Sequence, residues 1–129
     1  MKKNIIITGA AGFLGIHFCE LLSNKGFNVI GVDKDRSKIL LLKKKYKKKY
    51  INNIKLYNVD ISNEKKVKNF KKKLSKDKIK INYLINNAAV DTAPKNIRNN
   101  KIDFPKVEQW HKEINASLIG SYLMIKYFS

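Results

Sequence analysis

The chain has 129 residues, 43% of them hydrophobic, enough for one compact unit with a real core and too few to suggest two. Its 28 lysines and arginines against 10 acids give a net charge of +18, yet the longest charge-free run, Asn4 to Cys19, falls short of a membrane span. Cys19 stands alone, so there is no disulfide framework, and a reducing cytoplasm is the expected setting.

The first element is a β-branched run, residues 4–8, apolar on both sides as in a strand buried within a parallel sheet. Leu14, Phe18, Leu21 and Leu22 then recur at helical spacing until Gly26 stops the helix. Residues 27–32 read as a second strand ending in Asp33, and residues 36–50 as a lysine-rich helix with Ile39, Leu42, Tyr46 and Tyr50 turned inward. A third strand covers residues 54–59. Ser62 is the expected cap of the next helix, with Glu64 in its first turn and Val67, Phe70 and Leu74 as its buried stripe. Residues 81–85 make a fourth strand, residues 90–104 a long polar loop, and Pro105 opens a last helix through Trp110, Ile114, Leu118, Ser121, Ile125 and Phe128. Strand and helix alternate without a repeat, the pattern of an α/β doubly wound parallel sheet of Rossmann type, with expected strand order 3-2-1-4.

The positive charge is concentrated: residues 34–80 hold 19 of the basic residues against Asp35, Asp60, Glu64 and Asp77. Nearly all are lysine, whereas phosphate and groove recognition favours the planar arginine fork. We therefore read a solvated lysine surface and expect no nucleic-acid partner. His17 and Cys19 lie on different helical faces, so no metal site is expected.

The chemistry concentrates in residues 5–15, IIITGAAGFLG. A strand running through a glycine-rich turn into a helix makes an anion site, because the first helical amides lack carbonyl partners and carry the positive end of the dipole. Gly9 permits the tight turn, Gly12 lets a pyrophosphate reach the backbone, and Gly15 lets the helix lie close to the sheet. Thr8, Gly9, Gly12, Phe13, Leu14 and Gly15 are thus the candidate phosphate cradle. No GlyLysSer or GlyLysThr follows, which excludes the phosphate loop of ATPases. Asp33 ends the second strand 18 residues after Gly15, where a carboxylate can accept both hydroxyls of an adenosine ribose. That acid favours NAD over NADP, and Lys34 and Arg36 keep NADP open because either could neutralise a 2′-phosphate.

TGAAGFLG at 8–15, NVDI at 58–61, NNAA at 86–89 and Asn115 within WHKEINASLIGSY resemble the short-chain dehydrogenase/reductase family, in its order and near its spacings. The resemblance implies that Asp60 accepts the adenine amino group while the Ile61 amide meets a ring nitrogen, and that Asn87, Ala88 and Ala89 line the cofactor ribose. Asp60 could equally cap the turn before Ser62, and Asn86 and Asn87 could satisfy backbone groups between strands. Asn115 would interrupt its helix and hold a water of a proton relay. The implied activity is NAD(P)-dependent hydride transfer between an alcohol and a carbonyl on a small-molecule substrate. A nucleotide-sugar epimerase or dehydratase of the extended branch, or a non-catalytic NAD(H)-binding module, are the alternatives. The family's serine, tyrosine and lysine would follow a further strand beyond residue 129, so the chain reads as the N-terminal cofactor-binding portion of a truncated enzyme, inactive by itself in hydride transfer. A tyrosine and lysine four apart occur as Tyr122 and Lys126, but they lie seven residues beyond Asn115, about 10 Å further along a helix leaving the site. They read as a packing tyrosine and a solvent lysine. The family often pairs through its last helices, which leaves the oligomeric state open, with a homo-oligomer possible for the full-length form.

Overall fold

The computed structural model describes residues 2–49, 53–90 and 104–129. Four strands, β1 (Asn4–Thr8), β2 (Asn28–Asp33), β3 (Ile54–Asn58) and β4 (Tyr83–Ile85), form one parallel sheet in the order β3-β2-β1-β4, as the sequence pattern implied. Central β1 pairs on both sides, with Ile6 beside Ile30 of β2 and Leu84 of β4. β2 continues into β3 through the register Gly31 to Leu56.

Because side chains alternate across a strand, each face of this sheet collects its own apolar layer. Ile5, Ile7 and Val29 pack with Cys19 of α1 (Phe13–Asn24) and with Ile39, Leu42 and Tyr46 of α2 (Arg36–Lys49). Ile6, Ile30 and Val32 meet Val67, Phe70 and Leu74 of α3 (Glu64–Lys76) on the opposite face. Completing that face are Leu123, Met124 and Phe128 of α5 (Gly120–Phe128), which continues α4 (Val107–Ile114) through a π turn at Asn115–Ile119. Ile6, Ile7 and Met124 are wholly sealed from solvent, each a transfer gain of about 2 kcal/mol.

Several local expectations change. β2 begins one residue later and β3 ends one residue earlier than the patterns imply, and β4 keeps only three residues, starting at Tyr83. α3 is capped by Asn63, whose side chain accepts from the Lys66 N–H at 3.1 Å. Ser62 cannot serve there, because its N–H and hydroxyl both donate to Asp60 Oδ1, at 3.0 and 2.6 Å. α1 buries its small residues Gly15, Cys19 and Ser23, while Leu14 and Leu21 of the expected stripe face outward. A face of small residues lets the helix lie closer to the sheet than a leucine ridge would.

The last helix differs most. A last helix interrupted at Asn115 is expected, and three consecutive pieces are found with a π turn that opens at Asn115, starting at Val107 with Gln109 Oε1 accepting from the Lys106 N–H at 2.7 Å. The wider π turn shifts the register, so Gly120, Leu123, Met124 and Phe128 face the core, whereas Trp110 (54% exposed), Leu118 (66%) and Ile125 (52%) do not. Tyr50 and residues 91–103 of the expected polar loop lie outside the described residues. No helix among the described residues is long and apolar enough to cross a membrane.

Candidate functional site

β1 delivers the chain at Thr8 into a turn that only glycine can make. Gly9 has φ +65, and a Cβ there would stand 2.8 Å from the Ala88 Cα. The turn closes through the Gly12 N–H on the Gly9 carbonyl at 3.0 Å, and the first helical bond of α1 runs from the Ile16 N–H to the Gly12 carbonyl. No side chain caps α1 and no acid lies in its first turn. Among the described residues the amides of Phe13, Leu14 and Gly15 therefore find no acceptor, the arrangement that attracts an anion. Gly15 is also a matter of space, since a Cβ there would fall 2.0 Å from the Gly9 carbonyl oxygen.

Asp33, at the tip of β2, holds this turn in place. Its Oδ2 accepts from the Ala11 N–H at 3.0 Å and its Oδ1 from the Asp35 N–H at 2.9 Å, leaving one lone-pair direction on each oxygen. Thr8, fully buried, does the same for the far wall: its hydroxyl oxygen accepts from the Asn87 and Ala88 amides at 2.9 and 3.0 Å. The Asn87 side chain donates back to the Thr8 carbonyl at 3.1 Å, so its amide joins β4 to β1 behind the wall.

Between these tips lies a crevice of about 190 Å³. Of the residues singled out from the sequence, Gly9, Asp33, Asp60, Ile61, Ala88, Ala89 and Asn115 line it. Gly12, Phe13, Leu14 and Gly15, expected as the phosphate cradle, are not in its wall and form the cap and first turn of α1, and Thr8 and Asn87 form the support. Phe13 turns to solvent, 80% exposed, against the His17 ring. The wall also includes Lys34, Ser62, Val90, Lys112 and Ala116. Lys112 lies one turn before Asn115, a helical proximity readable in the sequence once one face is assigned to the site, and Ala116 directly follows Asn115 in the π turn. Asn115 opens the π turn, and its carbonyl accepts from the Gly120 N–H.

Tyr122 and Lys126 are not in this crevice. Tyr122 is 58% exposed instead of packed, and Lys126, exposed as expected, donates to Glu64 Oε1 at 3.0 Å. The Tyr127 hydroxyl shares that oxygen at 2.6 Å, and the two donors hold the Glu64 carboxyl below the usual range. Burial pushes the Cys19 thiol up to about 12, which keeps it protonated and inert. Among the described residues no group of three His, Cys, Asp or Glu side chains could hold a metal ion.

What the crevice can do follows from these groups. Open amides at the start of α1 suit a phosphate or diphosphate, and the two carboxylates in the wall, Asp33 and Asp60, suit hydroxyl and amino donors. The family model described as short chain dehydrogenase matches residues 3–129. The diacetyl reductase [(S)-acetoin forming] of Staphylococcus epidermidis is 34% identical over 91 residues, covering 70% of this chain and 35% of that protein. Two solved structures superpose over 98% of this chain: ElxO with NADP bound (TM-score 0.80, 24% identity, 49% of that chain) and NAD+-bound xylitol dehydrogenase (TM-score 0.81, 21% identity, 46% of that chain). The chain thus spans about a third of that relative and about half of those structures.

Proposed function

The chain belongs to the short-chain dehydrogenase family, and we propose that residues 1–129 form the dinucleotide-binding domain of an NAD(P)-dependent oxidoreductase. In a protein of the relatives' full length the reaction would interconvert an alcohol and a carbonyl on a small molecule, as the name of the similar diacetyl reductase suggests. The single observation that carries this reading is the set of open amides at Phe13, Leu14 and Gly15 that follows Gly9, the turn residue that lines the crevice together with Asp33.

The residues present fit a nicotinamide dinucleotide. The α1 amides would hold the diphosphate without any charged side chain, and the unused lone pairs of Asp33 would accept the adenosine ribose hydroxyls. Asp60 has one oxygen engaged by Ser62 and would offer the other to the adenine amino group, with the Ile61 amide on a ring nitrogen. Ala88 and Ala89 would let the second ribose approach the backbone, with Asn87 fixing their position from behind. When bound, the nicotinamide supplies the hydride acceptor or donor. Asn115 would orient a water for proton movement from the open turn of its helix. Asp33 favours NAD, and Lys34 on the same wall leaves room for the 2′-phosphate of NADP.

No proton donor to the substrate is assigned within these residues, because Tyr122 faces solvent and Lys126 is tied to Glu64. A reducing cytoplasm suits the protonated Cys19, and the open apolar face of α4 and α5 is where a second copy would pack. No nucleic-acid partner is proposed. Fluorescence titration with NADH tests the reading: a saturable response in the micromolar range is expected, and an unchanged signal up to millimolar NADH would overturn it.

A further inference from the structure

Gly120 has ordinary helical angles, φ −59 and ψ −46, a conformation in which alanine is the better residue. A glycine there needs a reason other than backbone freedom, and the packing supplies one. A Cβ at position 120 would stand 2.7 Å from both Cγ1 and Cδ1 of Ile61, and 3.4 Å from the Asn115 carbonyl oxygen. The helix can approach Ile61 this closely only because nothing projects from it at this point.

What surrounds Ile61 decides where it would go if pushed. Its side chain is buried in the layer that contains Val67 and Met124, both sealed from solvent, so the core side has no room. On the other side Ile61 lines the crevice, next to Asp60. Close-packed interiors relieve overpacking into the nearest void, and here that void is the ligand site.

We infer that Gly120 is a positioning residue that sets the depth of the crevice at its Asp60–Ile61 end, and so its fit to the adenine base, without touching the ligand. The inference rests on the dinucleotide reading above and extends it to a residue outside the wall. Gly120 also donates its N–H to the Asn115 carbonyl, so one residue ties the π turn to the strand tip across from it.

The test compares Gly120→Ala with the parent by calorimetric titration of NADH, AMP and nicotinamide mononucleotide, with circular dichroism to verify folding. Gly120→Ala is expected to weaken NADH and AMP about tenfold, the scale of one misplaced methyl, and to leave nicotinamide mononucleotide unchanged. The double variant I61A/G120A, in which the obstructing carbons are gone, is expected to recover AMP binding to the level of I61A alone. Equal weakening of all three ligands, no weakening of any, or a double variant tenfold poorer than I61A would each overturn the inference. If Gly120→Ala does not fold, the comparison of I61A/G120A with I61A decides, and a double variant that also fails to fold counts against it. A parent that binds neither NADH nor AMP defeats the dinucleotide reading itself. A parent that binds both, matched by Gly120→Ala, removes only the role of Gly120.

Discussion

The Asp33 carboxylate at the end of β2 accepts the Ala11 N–H at 3.0 Å, so the acid that rims the crevice also anchors the glycine turn after β1. Removing it should therefore act on both ligand and loop. Asp33→Ala is expected to weaken NADH by about 10-fold to 100-fold, the range of one or two charge-assisted hydrogen bonds, and to weaken NADPH less. Asp33→Asn, which keeps an oxygen for Ala11, should retain the loop and lose mainly the preference between the two. Parallel titrations of both cofactors check this, and equal losses for NADH and NADPH in both variants would count against a ribose contact.

Gly15 and Gly26 separate crowding from backbone strain. At Gly15 a Cβ would meet the Gly9 carbonyl oxygen at 2.0 Å, so Gly15→Ala must lift α1 off the turn, at a cost of about 3 kcal/mol. Gly26 has φ +90 with nothing within 4 Å of an added Cβ, so Gly26→Ala should cost only the left-handed penalty of about 1 kcal/mol. Urea unfolding of the two variants gives the comparison, and equal losses would contradict the close approach at Gly15.

Thr8→Val keeps the shape of a fully buried side chain and deletes the acceptor of the Asn87 and Ala88 amides. Two donors left without partners should cost about 2 to 4 kcal/mol of stability. Thr8→Ser, which retains the hydroxyl, should lose less than half of that. The same denaturation measurement distinguishes them.

Glu64 predicts an acid-side effect. The Tyr127 hydroxyl and then the Lys126 ammonium hold its folded-state carboxyl below the ordinary glutamate range. A lowered folded value means that the contribution to stability is complete above the unfolded value and is lost as the pH falls through the folded one. Glu64→Gln should therefore flatten the loss of thermal stability between about pH 5 and pH 3, with little change in slope above it. A variant profile parallel to that of the parent would show that the cluster does not couple to folding.

The order of elements was legible because two periodicities alternate cleanly: Ile5, Ile6 and Ile7 reach both faces of a sheet, whereas Val67, Phe70 and Leu74 recur every three to four residues. The crevice wall was legible at the strand tips, where Gly9, Asp33 and Asp60 stand, and Asp60 also takes the alternative role of holding the turn at Ser62. In the last helix the interruption at Asn115 followed from the family resemblance, and the register beyond it did not. Trp110, Ile114, Leu118 and Ile125 are spaced as a buried stripe, but the turn between them widens, and what widens it is tertiary. Asn115 faces the crevice while Gly120 sits against Ile61, two demands that a uniform 3.6-residue spacing cannot express. The cap of α3 was misread for a local reason: Ser62 and Asn63 are both good caps, and the choice fell to Asp60, which occupies Ser62 first.

The wide turn at Asn115–Ile119 holds one residue more than a uniform helix would. Upstream and downstream segments are consequently out of phase by about 100°. Deleting a single residue there would restore an even spiral, leave Leu123, Met124 and Phe128 seated, and swing Asn115 away from the opening. Insertions and deletions of one residue can thus reshape the rim of the crevice while the hydrophobic layer beneath it keeps its jigsaw, a degree of freedom that point substitutions do not offer.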